Sequence, residues 1–180
     1  MDINTLLPEQ GDGFVTFNRG TGGMFQFGQQ STIEATLATG QTWSLDHPEQ
    51  PFSVGHISKK GGGSFDPPHK SHKLGVDIDV RPLRKDKQNQ EVTISSPSYD
   101  QTATAELIAL WWQKAPVQLI LFNDPKVIAA GNSRFFDGHH NHFHVRLRMK
   151  DATIRVGDRG SDVAEVQTIQ VSKQTAGLAR

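Results

Sequence analysis

Two stretches decide the fold of this chain: Gly75-Val76-Asp77-Ile78-Asp79-Val80 and His142-Phe143-His144-Val145-Arg146-Leu147-Arg148-Met149. Both alternate with period two, the spacing of a half-buried strand. In the first, Val76, Ile78 and Val80 face a core and leave Asp77 and Asp79 on the opposite face. In the second, the apolar residues again alternate, so His142, His144, Arg146 and Arg148 share the polar face. Pairing the two strands brings two carboxylates beside two imidazoles.

Working outward, Leu107, Leu110 and Trp111 recur at helical spacing between Thr102 and Ala115. Ile108 and Trp112 widen that stripe, and Pro116 ends it. Val117–Phe122 follows as a short apolar run before the Asn123–Pro125 turn and reads as a buried strand. Nearer the N-terminus, Ser31 to Ala38 suits a short helix capped by Ser31, and Phe52 to Ile57 suits a strand. Gly and Pro at Gly11–Gly13, Gly20–Gly23, Gly61–Gly63 and Pro67–Pro68 mark turns between short elements. The expectation is an α+β domain: a small, mainly antiparallel sheet with flanking helices and long loops.

Bulk composition narrows the function. A chain of 180 residues fits one ordinary domain with a short appendage. Lysine plus arginine equals aspartate plus glutamate, 19 each, so no overall field attracts nucleic acid or an anionic membrane. The longest apolar segments are too short to cross a bilayer, and the first ten residues lack the basic and apolar regions of a secretory signal. With no cysteine present, any metal must be held by histidine and carboxylate.

Six of the eight histidines fall into two short blocks, Pro68-His69-Lys70-Ser71-His72 and Gly138-His139-His140-Asn141-His142-Phe143-His144. A lone histidine is more often a solvated or core residue than a ligand. Two such blocks, each next to a strand carrying carboxylates or imidazoles, favour a metal site. A catalytic zinc keeps three protein ligands and one open position, which one carboxylate and two histidines would fit.

The segment from Gly61-Gly62-Gly63-Ser64-Phe65-Asp66-Pro67-Pro68-His69 through His72 and Gly75 to Asp79 resembles the first metal motif of the penicillin-insensitive murein endopeptidases. The histidine-rich segment resembles their second, and the similarity covers roughly Gly11 to Arg148. These enzymes belong to a wider group of lysostaphin-type, D-Ala-D-Ala and hedgehog-like metallopeptidases. The resemblance implies a fold of that kind, and a zinc peptidase acting on the stem peptides of peptidoglycan in the periplasm or cell wall. It makes His72, Asp79 and His144 the ligands of one zinc ion and His142 the proton shuttle. His139 occupies the position of the glutamate found in the wider group. His69 and Asp77 fall to substrate binding or to tuning the site, and for Asp77 a solvated strand residue is an equal alternative.

A second metal in this family would need an aspartate and a histidine after the first motif. Between Val80 and Glu106 the chain offers Asp86 and Asp100 but no histidine, so one zinc per chain is expected. Export would require a lysis system, a secretion apparatus, or a leader absent from this sequence. The expected organisation is a zinc peptidase domain over residues 1–150 and a helical tail over 151–180. In that tail, Ile154 to Gln167 looks like the opening of a peptidoglycan-binding repeat. Two rival readings stay open: a non-haem iron oxygenase, which shares a two-histidine, one-carboxylate triad, and a non-catalytic wall-binding or partner-binding module. Oligomeric state is left open.

Overall fold

The computed structural model describes residues 2–65 and 71–149. Its main sheet has six strands: β2 (Gln10–Gly11), β3 (Phe14–Thr16), β5 (Phe52–Val54), β6 (Asp77–Val80), β7 (Val117–Leu121) and β8 (Phe143–Leu147), in the order β2-β3-β5-β6-β8-β7. Only the β3–β5 pair is parallel. A separate two-stranded ribbon joins β1 (Thr5–Leu6) to β4 (Phe27–Gly28). Among the described residues three α-helices complete the α+β architecture: α1 (Gln30–Asp46), α2 (Gln101–Lys114) and α3 (Pro125–Ala129). The expected tail, residues 151–180, lies outside the described residues.

Helix α2 forms where the Leu107, Ile108 and Trp111 stripe requires it, and all three are fully buried. Its N-terminus is set by Asp100, whose side chain accepts a hydrogen bond from the Ala103 N–H. Phe52 meets the Trp111 ring edge-on at 6.1 Å, which fixes this helix against the sheet. Phe143, Val145 and Leu147 of β8, together with Ile78 and Val80 of β6, belong to the same core.

Helix α1 runs well past the expected Ser31–Ala38, and its cap is Gln29, without a side-chain hydrogen bond, rather than Ser31. The weak apolar pattern hid it. Its inward face carries Ile33, Thr36, Gly40 and Trp43, and the buried hydroxyls of Thr36 and Thr39 donate to the carbonyls of Thr32 and Ala35. Polar side chains satisfied within the helix can be buried without an apolar signature. Gly40 sits there because a Cβ would come within 2.4 Å of the Asp12 carbonyl oxygen.

Two further differences arise around the central strands. The expected strand over Phe52–Ile57 ends at Val54, beyond which Gly55 and His56 continue as irregular backbone bonded to Asp79: the Gly55 N–H donates to the Asp79 carbonyl and the Asp79 N–H to that of His56. The β6–β8 register sets Asp79 opposite His144 and Asp77 opposite Arg146. Strand pairing therefore brings two carboxylates beside one imidazole and one guanidinium. His142 precedes β8 and reaches the same place from the preceding turn.

Candidate metal centre

The alternation that sends Ile78, Val80, Phe143 and Val145 into the core sends Asp77, Asp79, His144 and Arg146 to the other face of the sheet, where the first three are nevertheless buried. His72 joins them from the loop before β6. Its backbone takes the left-handed conformation, φ 61°, uncommon outside glycine. The N–H of His72 donates to Asp77 Oδ2 at 3.0 Å and helps to hold that geometry. Its Nδ1 lies 2.9 Å from the Ile57 carbonyl oxygen. Because a carbonyl can only accept, Nδ1 carries the proton and the Nε2 lone pair points inward.

Three donor atoms converge: His72 Nε2 is 3.2 Å and His144 Nδ1 is 3.1 Å from Asp79 Oδ1. Donors of a tetrahedral zinc site, each about 2.0–2.1 Å from the ion, stand about 3.3 Å apart, close to these two separations. His72, Asp79 and His144 together form a buried group that could hold a metal. The rim of the set is ordered as well. Asp77 Oδ1 accepts from His144 Nε2 at 2.9 Å and from Arg146 Nε at 2.6 Å. With Nε2 so engaged, Nδ1 is the edge of His144 that faces Asp79.

The electrostatics favour a cation here. Burial pushes the Asp79 carboxyl up, but the hydrogen bond from His144 and the adjacent His72 imidazole more than reverse this and hold it well below the ordinary carboxylate range. Asp77 is likewise raised by burial and brought well below its usual value by hydrogen bonds from His144 and Arg146. Burial opposes a charge on His144, yet its bonds to the two aspartates raise it to about 9. The field that keeps a proton on a buried imidazole also suits a divalent ion in its place.

His142 lies at the edge, its Nε2 3.9 Å from Asp79 Oδ1. Burial, only partly offset by Asp79 and reinforced by the neighbouring histidines, lowers its imidazole to about 4. Its Nδ1 sits 2.9 Å from Asn141 Oδ1, while Asn141 Nδ2 donates to Glu91 Oε1 at 3.0 Å. Glu91 thereby orients the amide, the amide oxygen accepts a hydrogen bond from the Nδ1–H, and the Nε2 lone pair faces the ligand group. The His139 ring lies 4.6 Å from that of His142, and its Nδ1 donates to the Asp137 carbonyl at 3.1 Å. Burial lowers the pKa of His139 also. His140, in the same block, is exposed and does not line the cleft described below, and His69 lies outside the described residues.

His72, His139, His142 and His144 open onto a cleft of about 660 Å³, with Leu119, Leu121 and Phe136 supplying apolar wall and Arg146 a charge. A smaller hollow of about 210 Å³ shares Asp79 and His142 with it and brings in His56, Arg81 and Glu91. His56 drew no attention in the sequence because it stands alone between Gly55 and Ile57. Only the β5–β6 connection puts it beside Asp79. Arg146 had a legible signal, being two residues from His144 on the same strand face.

The described residues thus form an α+β domain in which a buried His–Asp–His group that could hold a metal ion lines an open cleft. The model of the penicillin-insensitive murein endopeptidase family matches residues 3–127, and the chain belongs to that family. That span includes His72 and Asp79 and ends before His139, His142 and His144. No curated protein matches the chain. Among the described residues no helix is long and apolar enough to cross a membrane.

Proposed function

We propose that this protein is a zinc-dependent endopeptidase that hydrolyses the peptide cross-links of bacterial peptidoglycan. The convergence of His72 Nε2, Asp79 Oδ1 and His144 Nδ1 at the floor of the cleft carries the reading, and membership of a murein endopeptidase family supports the substrate class. In this assignment those three residues hold one zinc ion, and Asp77 fixes His144 and the backbone of His72. A zinc bound there supplies Lewis acidity and lowers the pKa of a coordinated water toward about 7.

His142 is neutral at pH 7 and presents its Nε2 lone pair to the site, so it accepts the proton released by the attacking water. It then passes that proton to the departing amine as the peptide C–N bond breaks. His139, its ring tilted against that of His142, positions the substrate carbonyl or shares the proton, and His69 is assigned to the substrate side. Leu119, Leu121 and Phe136 bind apolar parts of the stem peptide and exclude water. The site of action is the periplasm or cell wall. Residues 151–180 are assigned as a tail that resembles part of a peptidoglycan-binding repeat.

The deciding experiment is incubation with purified peptidoglycan, with and without a chelator, followed by identification of the fragments. Cross-linked dimers should fall to monomers, chelation should stop this, and zinc should restore it. Stoichiometric iron with oxygen consumption, or intact dimers under every condition, would overturn the reading.

A further inference from the structure

The stretch over residues 132–142 carries Phe136 of the cleft wall together with His139 and His142, and it is tied to the domain at each end. At its start the Trp112 Nε1–H donates to the Asn132 carbonyl at 2.8 Å, the Ser133 hydroxyl to that of Phe122 at 3.1 Å, and the Arg134 N–H to that of Ile120 at 2.9 Å. Near its end the Ile94 N–H donates to the His140 carbonyl at 3.0 Å. Between these points lies a turn, closed by the His139 N–H donating to the Phe136 carbonyl at 3.2 Å. Gly138 stands third in that turn at φ 83°, a conformation that costs glycine little.

Burial does not hold the turn in place. Phe135 and Phe136 are 68 % and 57 % exposed, and Asp137 and Gly138 are exposed as well. Among the described residues, the hydrogen bonds that join residues 135–139 to distant parts of the chain come from one residue, Asn123. Its Oδ1 accepts the Phe136 N–H at 3.0 Å, and its own N–H donates to the His139 carbonyl at 2.9 Å. Both ends of the turn are therefore held from one point. That point is firm, since Asn123 lies between Phe122, fully buried, and Asp124, whose buried carboxylate caps α3 and accepts four hydrogen bonds. The two bonds of Asn123 fix the rings beyond them. The His139 ring meets Phe136 edge-on at 5.3 Å and lies 4.6 Å from the ring of His142.

We infer that Asn123 is a positioning residue for the reaction, which holds the Phe136 wall and the His139 imidazole in place beside His142 from outside the cleft. The inference rests on the endopeptidase reading and adds to it the residue that fixes His139. Of the two bonds, the backbone one survives any substitution, so the side-chain oxygen is what a variant removes. Its loss leaves the Phe136 N–H without this partner and frees an exposed turn to move with both rings.

The test compares the full zinc-loaded wild type with Asn123→Ala and Asn123→Asp, the second of which keeps an acceptor oxygen. Zinc per chain, amide hydrogen exchange at Phe136 and single-turnover cleavage of a soluble cross-linked muropeptide dimer are measured on each. Asn123→Ala should hold zinc as the wild type does, exchange its Phe136 amide about 10-fold faster and cleave about 10-fold more slowly, the size of one hydrogen bond. Asn123→Asp should recover most of both. A variant that was only less completely folded would lower the amplitude of the single turnover and leave its rate unchanged, so the rate reports the placement of the rings. An unchanged rate or unchanged Phe136 exchange in Asn123→Ala, zinc lost along with activity, or no recovery in Asn123→Asp would overturn the inference and leave the endopeptidase reading in place. No cleavage of the dimer by the wild type would overturn both.

Discussion

Asp77 Oδ1 lies 2.9 Å from His144 Nε2, on the ring edge remote from Asp79, while Asp77 Oδ2 accepts the backbone N–H of His72. One buried carboxylate thus orders both histidines of the candidate ligand set without belonging to it. Asp77→Asn should leave three donors in place and weaken zinc affinity by about 10–100-fold, the usual effect of losing a partner that orients a ligand. Competition against a chromogenic chelator measures this. Unchanged affinity would reduce Asp77 to a strand residue paired with Arg146.

His144 and His142 should separate metal from turnover. His144→Ala removes a donor, so zinc and activity should be lost together. His142→Ala should keep most of the zinc and lose about 10²–10⁴-fold in kcat, the range of a general acid–base contribution. Metal analysis beside single-turnover rates decides between them, and the opposite pattern would exchange the two assignments.

Asn141 should matter through His142 alone. Its amide oxygen accepts a hydrogen bond from the Nδ1–H of His142 and its amide nitrogen donates to Glu91. Asn141→Ala should leave zinc content unchanged and lower kcat by about 10-fold or more, less than removal of His142 itself. A loss confined to KM would show that Asn141 contacts substrate instead.

Acid should act partly through Asp124. This buried carboxylate accepts from Tyr99 Oη, Gln101 Nε2 and the N–H groups of Lys126 and Val127 at the start of α3. Burial raises its pKa, but those four bonds bring it below the ordinary value. A depressed folded-state pKa contributes stability above about pH 4, and that contribution is lost as pH falls through the lower folded-state value. Asp124→Asn should cost about 1–3 kcal/mol at pH 7, from bonds to a charged group. Urea midpoints taken down the pH scale should show the gap to wild type narrowing in acid. A constant gap would remove the carboxylate charge from the account.

Removal of residues 151–180 should leave the peptidase domain folded, because every placed ligand and the β7–β8 pair precede that point. The thermal midpoint should move by less than about 2–4 °C, equivalent to about 1 kcal/mol in a chain of this size. Cleavage of soluble muropeptides should persist while binding to intact sacculi weakens. A larger drop in midpoint together with lost soluble activity would make the tail part of the fold.

Period-two alternation in the sequence by itself determined that Asp77 and Asp79 share one strand face and His144 and Arg146 another. The apolar stripe around Trp111 determined α2, and the absence of cysteine limited any metal to histidine and carboxylate. Periodicity fixes which side of a strand a residue occupies because successive side chains point to opposite faces, but it leaves the pairing register open. Only the packed sheet decided that His144 stands across from Asp79 and that Arg146, rather than His142, stands across from Asp77. The length of α1 was likewise settled by tertiary contacts, since its threonines are buried through bonds to their own helix and give no apolar signal. His56 and Arg81 came to the site through backbone bonds between Gly55, His56 and Asp79 and through stacking on Phe17. Such contacts join residues far apart in the chain, and local spacing carries no trace of them.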